Sequence, residues 1–212
     1  MAVSTDFAPP FKLIAPYFKI GATFFVISVV MLFGFDISNL SSIDTLTLSW
    51  VHIFLLGFVM MMIFGAMAQL VPVVLEVGHA AIDLYYVIYP LLFIGTILMG
   101  YGFSNVPQVL PYGGIVVLIS LLIFVFETFL TIKKVQKFNL VMTTVLIANT
   151  FLFIGLIFGI IMALGYAGTI DINISSLLKA HIYLVLVGYV GITIMGMSLV
   201  LLPMFWLSHS FS

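Results

Sequence analysis

Six long apolar stretches, separated by short polar connections, constrain the fold of this chain more than any other feature of its sequence. Hydrophobic residues make up 64% of the 212 residues and charged residues only 6%, whereas roughly a quarter of an ordinary soluble domain is charged. A helix needs about 20 apolar residues to cross the hydrocarbon core of a bilayer. Six such helices and their connections use almost all of the chain. The sequence therefore predicts an all-α, six-helix membrane bundle that forms a single domain over residues 1–212.

The predicted helices also carry a clear asymmetry of charge. Their expected bounds are Ile20–Phe35, Leu46–Val74, Leu84–Phe103, Gly113–Ile132, Leu140–Leu164 and Leu177–Leu207. With this arrangement five of the six lysines fall on one side of the membrane and only Lys179 falls on the other. Positive charge favours the cytoplasmic side. We therefore expect both termini in the cytoplasm, a first helix that is retained rather than cleaved, and a multi-pass protein of a bacterial inner membrane.

Charge and cysteine content exclude several classes of function. The net charge is −1 and the lysines are scattered, so the chain has no basic surface for nucleic acid. It contains no cysteine, which excludes disulfides, thiolate metal sites, iron–sulfur clusters and covalently attached haem. The expected partners are the lipid bilayer, a redox partner protein or respiratory complex, and a second copy of the chain.

The second and sixth apolar stretches each carry a histidine near their start, His52 and His181, and resemble one another over about twenty residues. From Gly57 in one and Gly188 in the other, both follow the spacing Gly-x7-Gly-x6-Pro. The histidine lies five residues before the glycine in the first stretch and seven before it in the second. The two stretches therefore read as corresponding helices.

A matched pair of histidines at similar depth in a membrane predicts a cofactor site, since an ionisable group inside a span is costly and usually functional. We expect His52 and His181 to be the two axial ligands of one haem iron. Gly57 and Gly188 would let the porphyrin approach the backbone. Two alternatives stay open: a non-haem metal ion held by the same histidines, or two hydrogen-bonded histidines with a purely structural role.

The other two histidines, His79 and His209, also recur, a few residues after the proline that ends each repeat. They lie on the predicted cytoplasmic side. His79 is 27 residues from His52, which is ~40 Å of continuous helix, so it cannot join the first pair. A second metal or haem site at His79 and His209 is one interpretation, and ordinary loop histidines are the favoured one.

One carboxylate, Glu127, falls inside a predicted helix. It could relay protons across the membrane. Because it lies about two helical turns from Lys133 and Lys134, we expect instead that its side chain extends towards these lysines. The many methionines indicate helix packing rather than a copper path.

Two segments resemble a known superfamily of membrane proteins. His52, in an apolar helix that contains Gly65 and ends at Pro72, and the connection 73–84, Val-Val-Leu-Glu-Val-Gly-His-Ala-Ala-Ile-Asp-Leu, are similar to the second helix of subunit I of the haem–copper oxidases. The segment Gly188–Phe205 resembles short subunit-I-like and NnrS-like membrane proteins. The matches cover the second and sixth helices and about half the length of such a subunit.

The resemblance implies helices that recur in groups of four about a pseudo-threefold axis, so that helices two and six are equivalent. It also implies a low-spin haem near the outer face, bound by His52. In that superfamily the second haem ligand lies on a later helix and the sixth helix supplies a copper ligand. The assignment of His181 as the partner of His52 is therefore an inference from the repeat.

The departures from the superfamily exclude an oxygen-reducing centre. The sequence has no His-Pro-Glu motif, no adjacent histidines and no His-x-His. Arginine, the usual partner of haem propionates in that superfamily, is also absent, and Lys179 and Trp50 are the candidate substitutes. We therefore expect a protein with haem b, rather than copper, for electron transfer or for sensing of haem or a diatomic gas, and not an enzyme on its own. The alternative is a metal- or haem-handling assembly factor, or a structural subunit of a respiratory complex.

Overall fold

The computed structural model describes residues 5–35, 44–136 and 139–206, and within these ranges the chain is helical and contains no strand. Six helices are long and apolar enough to cross a bilayer. We call them spans one to six: Phe11–Leu32, Thr45–Leu75, Ile82–Ser104, Pro107–Ile132, Leu140–Tyr166 and Ile174–Phe205. The predicted six-helix membrane bundle is thereby confirmed.

Span one begins at Phe11, nine residues before the predicted start at Ile20. Lys12 and Lys19 interrupt the apolar pattern in the sequence, but both lie on the exposed face of the helix. On the opposite face Tyr17 is fully buried, and its hydroxyl donates a 2.6 Å hydrogen bond to a backbone carbonyl of span three. The helix therefore starts earlier because its charges can point outward while its inner face packs.

Spans three and four pack against each other more closely than side chains on both helices would allow. A Cβ atom added to Gly95 would lie 2.6 Å from Val117, and one added to Gly102 would lie 2.7 Å from Leu110. Helices in a membrane associate through close van der Waals packing, because lipid tails are as apolar as the helix surfaces. Small residues allow the backbones to approach closely enough for this packing. Close packing of this kind therefore holds spans three and four together.

Spans one and two form a hairpin whose main contact recurs in spans five and six. In the first hairpin the ring of Phe24 occupies the space beside Gly57, where a Cβ atom would collide with it. In the second hairpin the ring of Phe151 takes the same place beside Gly188, 2.6 Å from the position of a Cβ atom. The repeat seen in the sequence of spans two and six therefore extends to the helices that precede them.

A second contact keeps the same register in both hairpins. Gly65, eight residues after the first glycine of its span, packs against the Cβ atom of Tyr17. Gly196 stands eight residues after the first glycine of its own span and packs against Thr144. Tyr17 and Thr144 each precede the phenylalanine of their hairpin by seven residues. The two hairpins are thus related over their whole length.

Spans two and six share a rare helical form near their middle. Ile53–Met60 in span two and Tyr183–Gly191 in span six are π-helices, each between two α-helical segments. Both end three residues after the repeated glycine. The α-helical segments are Thr45–His52 and Met61–Leu75 in span two, and Ile174–Ile182 and Ile192–Phe205 in span six. Such π-helical turns occur frequently at functional sites, and here each begins within two residues of a predicted ligand.

Candidate functional site

A cavity of about 330 Å³ lies between spans two and six and is also lined by residues of spans three, four and five. Its wall is made mostly of leucine, valine, isoleucine and methionine side chains. The polar lining residues are Thr47, His52, Tyr166 and His181. The cavity therefore brings both predicted ligands together in an apolar space of the size that small-molecule sites have.

The two histidines lie at the same depth in the bundle. His52 is the eighth residue of span two and His181 is the eighth residue of span six. At 1.5 Å per residue each lies about 10 Å from the start of its helix. Both rings line the same cavity. The expectation that the pair shares one depth and one side of the bundle is confirmed.

Each imidazole is oriented by one hydrogen bond from its Nδ1 atom. Nδ1 of His52 lies 2.7 Å from the carbonyl oxygen of Leu48, one turn earlier in the same helix. Nδ1 of His181 lies 2.8 Å from the carbonyl oxygen of Gly155, in span five. Gly159 makes room for this second ring, since a Cβ atom there would lie 3.2 Å from its Cε1 atom. The rings are thus held by contacts that the sequence does not reveal.

These hydrogen bonds decide which nitrogen is free. A backbone carbonyl can only accept, so Nδ1 of His52 and of His181 must each carry the proton. In the neutral ring Nε2 then has a lone pair, and neither Nε2 atom has a hydrogen-bond partner among the residues that the structure describes. Histidines that bind metals usually have this arrangement, with the second nitrogen donating to a carbonyl or carboxylate. Both side chains are therefore prepared to act as ligands through Nε2.

The four other predicted cofactor-binding residues lie outside the cavity wall. Gly57 and Gly188 face phenylalanine rings of spans one and five, so the space over their Cα atoms is already filled. The Nε1 atom of Trp50 donates to the carbonyl oxygen of Ser28 at 2.9 Å. Lys179 is exposed at the end of the bundle where span six begins. The structure gives the glycines a role in helix packing, and a cofactor contact at these four positions stays a prediction.

The histidine repeat is not symmetric around the cavity. The matching ends of the two π-helices place Tyr183, not His181, at the position that corresponds to His52. Tyr183 points away from the bundle and is 70% exposed. Two residues correspond to about half a turn of α-helix, so His181 faces the interior while Tyr183 faces outward. This explains the two-residue difference in spacing between the repeats.

His79 differs from the ordinary loop histidine that the sequence predicts. Its side chain is 2% exposed, and its Nδ1 atom lies 2.9 Å from Oε1 of Glu127, which is itself fully buried. The expectation that Glu127 extends towards Lys133 and Lys134 is wrong, because it binds His79 instead. Lys134 donates to backbone carbonyls of the connection between spans two and three.

Of the two histidines in the predicted second metal or haem site, the structure describes His79, and His209 lies outside the described residues. Within the described ranges no group of three or more histidine, cysteine, aspartate or glutamate side chains could hold a metal ion. His79 and Glu127 therefore form a pair, well separated in the chain from the cavity histidines.

No family model matches the chain, and no curated protein or solved structure matches it either. The resemblance to subunit I of the haem–copper oxidases rests on the residues of spans two and six, and it stays a prediction.

Proposed function

We propose that this chain is an integral membrane b-type haem protein in which His52 and His181 bind the iron from opposite sides. One observation carries the proposal: two imidazoles at equal depth line one apolar cavity, and neither Nε2 atom has a hydrogen-bond partner among the described residues. Packing alone does not require both rings to keep the same nitrogen unpartnered. Haem supplies one-electron redox chemistry when it is bound.

The number of donors favours haem over a bare metal ion. A zinc, copper or iron ion bound by protein side chains usually needs at least three ligands from the chain. Within the described residues no such group exists, and the cavity offers two imidazoles. A haem brings four nitrogen ligands of its own, so two histidines complete its coordination. The donor set therefore fits haem better than it fits a free metal.

The apolar character of the cavity wall also favours a haem macrocycle. Aliphatic side chains surround the two rings, and Phe103 packs on His52 with a distance of 4.7 Å between ring centroids. Lys179 is exposed at the same end of the bundle and is available to pair with propionates. With both axial positions taken by protein, this arrangement favours electron transfer. Sensing of a diatomic gas would require one imidazole to give way.

The first test is an absorption spectrum of the purified protein. Protein made with excess haem precursor, or incubated with haemin in detergent, is expected to show a Soret band and a sharp α-band on reduction, as six-coordinate low-spin haem does. His79→Gln is a matched control, because His79 lies outside the cavity, and it should leave both bands unchanged. A folded protein that stays colourless under both conditions would contradict the proposal.

We also propose that both termini face the cytoplasm, in a bacterial inner membrane. With six spans, the two ends of the chain lie on one side. Reporter fusions at the C-terminus and after Gln136 are expected to behave as cytoplasmic, because Lys12, Lys19, Lys133 and Lys134 lie at that end of the bundle. A fusion at Asp171, between spans five and six, serves as the opposite control. Periplasmic activity of the C-terminal fusion would invert the orientation and place the cavity near the cytoplasmic face.

A further inference from the structure

The connection between spans two and three folds back over span four and buries an ion-pairing cluster beneath it. Span two ends at Leu75, where Glu76 adopts a left-handed backbone conformation with φ 54°. This reverses the chain, as residues of this conformation do at helix ends. His79 thereby reaches Glu127, and their side chains are 2% and 0% exposed.

The hydrogen bonds define how the pair is charged. Nε2 of His79 lies 2.6 Å from the carbonyl oxygen of Ala68, so it must donate. Oε1 of Glu127 accepts from the hydroxyl of Thr131 at 2.7 Å and from the backbone N–H of Ala80 at 3.2 Å, and it also faces Nδ1 of His79. An oxygen that receives three donors is best stabilised as part of a carboxylate. The geometry therefore describes an imidazolium that donates from both nitrogens to an anionic partner and a carbonyl.

The second carboxylate oxygen of Glu127 has a different environment from the first. Oε2 of Glu127 is buried and has no hydrogen-bond partner, and the same holds for the hydroxyl of Tyr85. The ring of Tyr85 packs on His79 edge to face, with centroids 4.9 Å apart, and its phenol interacts electrostatically with Glu127. An unsatisfied buried acceptor is costly, and a proton added at Oε2 would give this oxygen a hydrogen to donate.

We propose that Glu127 is a proton-binding site that takes up one proton at Oε2. The contacts of Oε1 hold the carboxyl group in place while an O–H bond forms at Oε2, and the cluster gains one positive charge. The new O–H group then becomes a donor towards the phenol oxygen of Tyr85. The ligand of this site is the proton itself, and the site stands apart from the cavity histidines.

The remaining titratable groups around the cluster are consistent with this assignment. Lys134, two residues after the end of span four, covers the connection by donating to the carbonyl oxygens of Gly78 and His79 at 3.2 and 2.8 Å, and does not bind the carboxylate. Beyond Tyr85 of span three lie two further phenols, those of Tyr17 in span one and Tyr189 in span six. Glu127 is therefore the group of this cluster with a free site for a proton.

Infrared difference spectroscopy of the full chain in detergent tests the proposal without haem. As the pH is lowered, a C=O stretching band of a buried carboxylic acid is expected to appear, separate from the band of the exposed carboxyl groups, and Glu127→Gln should remove it. Glu76→Gln, which changes an exposed carboxylate three residues from His79, should leave it in place. Tyr85→Phe removes the acceptor for the new O–H group, so the band should move to higher frequency.

Three results would overturn the assignment. One is the absence of the band of a buried carboxylic acid across the pH range in which the protein stays folded. Another is a band that persists unchanged in Glu127→Gln. The third is a band that Tyr85→Phe leaves at its original frequency, since that would place the proton on an oxygen that does not face Tyr85. Because haem is not needed, failure here leaves the function proposed for the cavity untouched.

Discussion

Replacing either His52 or His181 with alanine is expected to abolish the low-spin haem spectrum completely. In the proposed site each histidine would supply one of the two protein ligands of the iron, and the other polar lining residues, Thr47 and Tyr166, carry hydroxyl groups rather than imidazoles. With one histidine removed, the iron would keep a single protein ligand. With both removed, it would have no protein ligand. The measurement is the reduced spectrum together with the amount of haem that remains on the protein after gel filtration.

The controls for this experiment separate ligation from folding. Imidazole added to the buffer should restore the low-spin bands in either alanine variant, because the removed side chain leaves room for a free ligand in an apolar cavity. A variant that merely unfolds the bundle would not be rescued in this way. If His181→Ala kept the wild-type spectrum while His52→Ala lost it, the second ligand would have to come from elsewhere and the pairing of the two spans would be wrong.

The membrane fold was predictable because hydrophobic length alone determines which segments can span a bilayer. All six spans were found, and the predicted start of the fifth span, Leu140, agrees with the structure. The start of span one was not found, because the position of Lys12 and Lys19 on the exposed face depends on how the helix packs. A charge on the outer face of a helix and a charge in a loop look alike in the sequence.

The cavity was predictable only in part. The histidine repeat indicated that His52 and His181 lie at one depth, and the structure brings them into one cavity. The π-helices after both residues left no sign in the sequence, since the same apolar residues serve α- and π-helices. The roles of Gly57 and Gly188 depend on which helix lies beside each of them, and this requires the tertiary arrangement.

The sequence predicts that Glu127 has a partner, but it does not predict that this partner is His79. A carboxylate within a membrane span needs a partner, and the nearby lysines offered one that was close in sequence. The actual partner stands 48 residues away and is reached because the connection after span two turns back. Proximity in the sequence favoured Lys133 and Lys134 as partners, whereas the fold brings His79 to Oε1 of Glu127.

The second large effect is expected on stability, when a glycine of the hairpin repeat is replaced by alanine. Gly188→Ala is expected to lower the free energy of unfolding by about 1–3 kcal/mol, the usual cost of overpacking, because the new Cβ atom would lie 2.6 Å from the ring of Phe151. For a chain of this size that corresponds to a fall in Tm of about 2–4 °C for each kcal/mol. Gly57→Ala should behave alike, since its Cβ atom would collide with Phe24. Thermal unfolding in detergent measures both.

Gly191→Ala is the matched control, because it lies in the same π-helix as Gly188. A Cβ atom there would meet a backbone oxygen of its own helix at an ordinary 3.4 Å, and replacing glycine by alanine otherwise favours a helix by about 1 kcal/mol. The two variants should therefore change stability in opposite directions. In the double variant Gly188→Ala with Phe151→Ala, the ring atoms that would lie 2.6 and 3.0 Å from the new Cβ atom are removed, so the loss should be less than the sum of the single losses. Strict additivity would mean that Phe151 does not limit the space at Gly188, and the contact that relates the two hairpins would lose its energetic basis.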